Sequence, residues 1–120
     1  MAQIRVDGDT LVVQIEGLDK LWSFKSRLEI PLGNVRGATA DPGAITEPKG
    51  IRTSGTHVPG VITAGTFRVD GERIFWDVRD PRNAVVIELR DERYARLITE
   101  VPDPRATVTL IEQALTRPAP

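Results

Sequence analysis

The clearest pattern of hydrophobic and polar positions runs from Gly55 to Leu89, and it predicts three consecutive β-strands. Asp70-Gly71 favours positive φ at both central positions of a two-residue hairpin, which places Arg68 opposite Arg73. Successive side chains of a strand point to opposite faces, so this register gathers the apolar residues on one face. That face, which we expect to be the core, carries Val61, Phe67, Val69, Ile74, Trp76 and Val78.

A second turn is predicted at Asp80-Pro81-Arg82-Asn83, because proline presets φ and asparagine tolerates the left-handed region. It predicts that the strand ending near Val78 pairs with the next strand in antiparallel fashion, with Arg79 opposite Ala84. The inward pairs are then Val78 with Val85, Trp76 with Ile87 and Ile74 with Leu89.

The first third of the chain predicts four shorter strands. They are Ile4 to Val6, Thr10 to Ile15, Arg27 to Pro31 and Val35 to Ala40. Leu18, Leu21 and Trp22 are spaced as on a helix, so one or two helical turns are expected from Leu18 to Phe24. Prolines and glycines predict a long loop from Asp41 to Gly60, which a short strand around Ile51 would shorten.

The end of the chain predicts a strand from Leu97 to Val101 and then a helix over residues 104–116. Asp103 is a suitable N-cap, and Pro104 suits the first helical position. The apolar stripe of this helix is Val108, Ile111 and Leu115. We expect a single domain over residues 1–117, followed by a tail at 118–120.

Composition narrows the classes of function. The 120 residues are 40% hydrophobic and 28% charged, which is ordinary for a globular domain. The net charge of -1 provides no long-range electrostatic attraction to nucleic acid. No cysteine is present, so disulfides, thiolate nucleophiles and cysteine-based zinc sites are excluded. We found no signal-peptide pattern and no apolar run of membrane-spanning length, and we expect a cytoplasmic protein.

The order of elements, seven to eight antiparallel strands and then one amphipathic helix, resembles the bacterial pleckstrin-homology-like (PH-like) domain family. Matching segments are Leu28-Glu29-Ile30-Pro31-Leu32 with Val35, Ala64 to Phe67, Phe75-Trp76, and Ala84 to Leu89. The resemblance covers nearly the whole chain and implies a mainly β (α+β) fold, an antiparallel barrel or two orthogonal sheets capped by the C-terminal helix. It also implies a non-enzymatic binding or assembly role, without a defined set of functional residues.

Catalytic and metal chemistry have little support in the sequence. His57 is the single histidine, and Ser54 lies three residues before it, but no nucleophile elbow surrounds them. The glycines of Gly55 to Gly60 have phosphate-loop spacing, yet Val61 and Ile62 follow where a lysine and a hydroxyl residue are needed. We therefore expect no catalytic residue, no metal, no cofactor and no small-molecule substrate.

Two surface features are candidates for binding. Arg68, Arg73 and Arg90 are predicted side by side on the outer face, where they form a candidate anion patch; the alternative is a solvated face neutralised by Glu72, Asp91 and Glu92. A candidate interaction surface combines apolar residues of the outer face with the histidine, unless the 41–60 loop covers it. Its members are Ile62, Phe75, Val86 and His57.

These features favour a non-catalytic module that binds a protein partner or assembles with itself, through this surface or through an edge strand. The alternative is an anionic ligand or lipid headgroup on the arginines. Membrane binding is less favoured, because the first hairpin turn, Asp7-Gly8-Asp9, is acidic rather than lysine-rich.

Overall fold

The computed structural model of the protein describes residues 2–15, 27–43, 51–58 and 62–116, and it describes the side chains of these residues except at 51–58 and 62–64. The strands in these ranges are β1 (Ala2–Asp7), β2 (Thr10–Ile15), β3 (Arg27–Pro31), β4 (Val35–Ala40), β5 (Ile51–Val58), β6 (Ile62–Val69), β7 (Glu72–Val78), β8 (Ala84–Leu89) and β9 (Arg96–Glu100). One α-helix, α1 (Pro104–Thr116), follows them, and short 3₁₀ turns lie at Leu32–Asn34 and Pro81–Asn83.

The strands form two sheets. Three strands pair in the order β1-β2-β3, and six pair in the order β4-β8-β9-β7-β6-β5. The fold is therefore mainly β with one C-terminal helix, and neither sheet closes on itself within the described residues.

The predicted β6–β7 hairpin is confirmed in detail. Asp70 and Gly71 have φ angles of 50° and 82°, the two positive values that this turn requires. Arg68 pairs with Arg73, as the turn chemistry predicted, and the same register pairs Gly65 with Trp76. The first hairpin, β1–β2, is also confirmed.

The predicted pairing of β7 with β8 is wrong, because β9 lies between them. β9 runs parallel to β7, with Trp76 beside Ile98, and antiparallel to β8, with Val86 beside Ile98. The turn after β7 therefore spans the width of an extra strand. The buried carboxylate of Glu100, at the end of β9, accepts hydrogen bonds from the backbone N–H groups of Arg79 (2.8 Å) and Asp80 (3.1 Å) and fixes this wide turn.

Both faces of the larger sheet carry buried apolar side chains. Between the two sheets, Phe75 and Ile87 pack with apolar residues of β1 to β3 and with Ile111 of α1. The opposite face carries a second apolar cluster, made of Phe67, Ile74, Trp76, Val78, Ala84, Val86 and Ile98. Trp76 and Ile87, expected on one face, are both buried but on opposite faces.

The expectation of an exposed apolar patch is therefore corrected at two positions. Phe75 is 0% exposed and belongs to the core between the sheets, while Val86 is 8% exposed and packs in the second cluster. Strands that are buried on both faces are apolar at successive positions, and β7 and β8 show this pattern. Neither residue is available to a partner.

The C-terminal helix has the predicted limits and cap. The side chain of Asp103 accepts a hydrogen bond from the backbone N–H of Ala106 at 3.1 Å. Ile111 is fully buried, and Val108 and Leu115 pack against the main core. The helix lies against β4, β1 and β8.

The expected long loop is shorter than predicted, because residues 51–58 form β5, a full strand paired with β6. The helical turns predicted at Leu18 to Phe24 and the inward position of Val61 lie outside the described residues. Among the helices described, none is long and apolar enough to cross a membrane.

Candidate functional site

The candidate site forms at the end of the larger sheet where β6 turns into β7. The register places Arg68 and Arg73 directly opposite each other, and both side chains are exposed. Like charges in this position repel one another, because directly opposed side chains are about 5 Å apart at Cβ. The hairpin thus holds two positive charges together at the surface.

The loop between β8 and β9 completes the site, since β9 lies directly beside β7. Its closing residue, Ala95, donates a backbone hydrogen bond to the carbonyl oxygen of Arg73 at 2.8 Å. At the other end of the loop, Arg90 donates one to the carbonyl oxygen of Asn34, also at 2.8 Å. Arg93 and Tyr94 are consequently held next to the arginine pair.

Together these elements enclose an open cavity of about 430 Å³, which we call the arginine groove. Its lining consists of Arg68, Gly71, Glu72, Arg73, Leu89, Asp91, Glu92, Arg93, Tyr94 and Ala95. Arg68 and Arg73 of the predicted anion patch meet here. Arg90, the third predicted member of the patch, is exposed but does not line the groove. The third arginine of the lining is Arg93 instead.

Buried Tyr94 lies at the floor of the groove. Tyr94 is 3% exposed, its ring lies 5.6 Å from the ring of Phe75, and its hydroxyl is 3.3 Å from the hydroxyl of Thr66. The guanidinium carbon of Arg93 lies 5.6 Å from the centre of the tyrosine ring, within the range of a cation–π contact. This contact orients the third arginine over the floor.

The alternative expectation was that neighbouring carboxylates neutralise the arginines. Among the described side chains, no carboxylate lies within ion-pair distance of Arg68 or Arg73. Glu92 instead accepts a hydrogen bond from the side chain of Asn34 at 2.5 Å. Among the side chains that the structure describes, the ion pairs found lie elsewhere, at Arg27–Glu29 and Arg82–Asp80. Within the described part of the chain, no carboxylate therefore forms an ion pair with Arg68 or Arg73.

A second group of polar side chains lies at the opposite end of the sheet, inside the core. Asp77 is 1% exposed and pairs across the ladder with Thr99, whose buried hydroxyl oxygen has no hydrogen-bond partner among the described residues. Burial raises the pKa of Asp77 above its ordinary value of 3.8, and the negative charge of Glu100 acts in the same direction, whereas Arg79 opposes it. This carboxyl group has no access to solvent and does not form a surface site.

The remaining predicted residues do not join either group by any described contact. His57 and Ile62 lie on neighbouring strands, opposite Thr63 and Val58 respectively, but their side chains lie outside the described set. Within the ranges that the structure describes, no cluster of three or more histidine, aspartate or glutamate side chains is arranged to hold a metal ion.

Comparison of the chain with protein-family models finds no matching family, and comparisons with curated proteins and with solved structures find no match. The PH-like resemblance therefore stays a prediction.

The arginine pair predicts an unusual effect on stability. Arg68→Glu converts the repulsive pair into an attractive one, so we expect the free energy of unfolding to rise by about 0.2–1 kcal/mol. Urea denaturation at low salt measures this, and the gain should shrink in high salt, which screens exposed charges. Arg5→Glu, which reverses an exposed charge on β1, is the control and should change stability by less than about 0.5 kcal/mol. A loss of stability in Arg68→Glu would show that the two side chains do not repel each other.

The buried carboxyl predicts a pH dependence of the opposite kind from that of a salt-bridged aspartate. The pKa of Asp77 is raised in the folded state. The contribution of this carboxyl group to the free energy of unfolding is therefore fully present below its unfolded pKa and is lost as the pH rises through its folded pKa. Asp77→Asn should therefore gain stability relative to wild type between pH 4 and pH 7.5, as measured by urea denaturation at both values. Asp9→Asn, at an exposed turn position, is the matched control, and an equal pH trend in the two variants would contradict the assignment.

Proposed function

We propose that the protein is a non-catalytic binding module whose arginine groove takes an anionic group, either a carboxylate or a phosphate. The observation that carries the proposal is the pair Arg68 and Arg73, which the hairpin holds face to face, and neither side chain is in contact with a carboxylate of the described residues. Folding leaves the two charges in repulsion, and a bound anion would relieve it.

The chemistry of the groove suits such a ligand. Guanidinium groups bind the oxygens of carboxylates and phosphates through paired N–H donors. Three arginines line the groove, one each from β6, β7 and the β8–β9 loop, and the last lies over the ring of Tyr94. A cavity of about 430 Å³ is large enough for more than one chemical group.

The PH-like assignment belongs to the same proposal. It is supported by the order of elements, with strands followed by a helix that packs on β4, β1 and β8. The parallel pairing of β7 with β9 and the division into three and six strands depart from the all-antiparallel layout that the resemblance implies.

The sequence favoured binding of a protein partner or self-assembly. An edge strand among the described residues supports self-assembly. β5 is the last strand of the six-stranded sheet among the described residues, and such an edge can accept another strand. We keep self-assembly through this edge as the second candidate, separate from the groove.

Anion binding is tested by titrating phosphate and acetate into the ¹⁵N-labelled protein at constant pH and ionic strength. We expect saturable shifts of the amide signals of Arg68, Arg73, Arg93 and Tyr94, and their loss in Arg68→Glu/Arg73→Glu. This double variant keeps a like-charged pair and reverses only its sign. Arg5→Glu/Arg105→Glu carries the same net charge, changes exposed positions outside the groove and should behave as wild type.

Shifts of equal size in both double variants would contradict the groove as the binding site. Co-sedimentation with vesicles of anionic lipid distinguishes a headgroup from a free anion. Sedimentation velocity of the wild type, run alongside, reports the second candidate, because a mass above 13.2 kDa would favour self-assembly.

A further inference from the structure

A second hollow of about 180 Å³ adjoins the arginine groove on the side of β4. It is lined by Arg36, Glu72, Glu88, Leu89, Ala95 and Arg96. Glu72, Leu89 and Ala95 line both cavities, so the two lie side by side at this end of the sheet, and we refer to them together as the channel.

Arg36 is the distinctive residue of this second hollow. The register of β4 against β8 shifts between Val35 and Gly37, which makes Arg36 the extra residue of a β-bulge. Bulges redirect a side chain out of the regular ladder. Arg36 is exposed and has no carboxylate in ion-pair contact among the described residues, while Glu88 lies opposite Arg96 in the β8–β9 ladder.

From these observations, and on the basis of the proposed function above, we infer that the channel binds an extended acidic peptide segment of a protein partner, with one carboxylate at Arg68 and Arg73 and another at Arg36. In the sheet order, β4 and β7 are three strand spacings apart, which is about 14 Å at about 4.8 Å per spacing. An extended peptide covers that distance in about four residues at about 3.3 Å each. The acidic side chains that fit are thus at positions i and i+4.

The charges along the channel favour a peptide over a polyphosphate or a lipid surface. Glu72 lies between the two arginine groups, and Asp91 and Glu88 lie beside them. Concentrated negative charge would meet these carboxylates, whereas two separated carboxylates with neutral residues between them would not. The tyrosine in the groove is buried beneath Arg93, so it offers no open ring for a nucleobase.

The test uses three synthetic peptides, acetylated at the N-terminus and amidated at the C-terminus so that the only carboxylates are side chains, titrated into the full-length ¹⁵N-labelled protein. The first has glutamates at i and i+4 of a glycine-serine segment, the second replaces one glutamate by glutamine, and the third replaces both. We expect the first to bind about tenfold or more tightly than the second, since the second contact becomes intramolecular. Its amide shifts should include Gly37 as well as Arg73, and the third peptide should not bind.

Variants separate this inference from the proposed function. Arg36→Glu and the milder Arg36→Gln should reduce the affinity for the first peptide to that for the second, and should leave the second peptide unchanged. Arg68→Glu/Arg73→Glu should abolish the binding of the first and the second peptide, and Arg105→Glu should leave both affinities unchanged. Well-dispersed amide spectra verify that each variant is folded.

Equal affinities for the first two peptides, or an unaltered affinity in the Arg36 variants, would overturn the acidic-peptide inference and leave anion binding at the arginine groove intact. If none of the peptides binds and phosphate does not bind either, both the acidic-peptide inference and the proposed anion binding are wrong.

Discussion

The insertion of β9 between β7 and β8 determines most of what is distinctive in this protein. It makes β9 a central strand, with Leu97 on the face toward the smaller sheet and Ile98 on the opposite face, both fully buried. It also brings the β8–β9 loop beside the β6–β7 hairpin, where Ala95 bonds to Arg73. The core and the arginine groove therefore follow from the same pairing.

Within the groove, the turn that fixes the hairpin also places two like charges side by side. The two-residue turn fixes the β6–β7 register, and that register opposes Arg68 to Arg73 at some cost in stability. Nearby carboxylates line the cavity, but Glu92 is engaged by Asn34 and the others form no described ion pair with the arginines. Retained repulsion at a concave surface is the arrangement expected of a binding site, because residues that bind a ligand are not optimised for the stability of the free protein.

Sequence reasoning succeeded where short-range chemistry decides the structure. The turn at Asp70-Gly71 determines its own register, and Asp103-Pro104 begins the helix through a side-chain bond within three residues. The Arg68 and Arg73 half of the candidate site was predictable for the same reason.

The pairing of the central strands and the other half of the candidate site depend on contacts between residues that are distant in sequence. The unbroken apolar runs Ile74-Phe75-Trp76 and Ala84 to Ile87 were the available signal, because strands buried on both faces lack alternation. Interpreting them as one-faced strands led to the wrong β7–β8 pairing and placed Phe75 outside. Arg93 and Arg36 were missed because a loop contact and a β-bulge, neither visible in the local pattern, direct them to the channel.

The position of β9 is tested most directly by nuclear Overhauser effects between backbone protons of adjacent strands. The structure predicts cross-strand effects in a parallel pattern linking Phe75 with Leu97 and Trp76 with Ile98. Antiparallel effects linking Trp76 with Ile87 and Val78 with Val85 would show instead that β7 and β8 are neighbours, and would remove the basis for both the two-faced core and the groove.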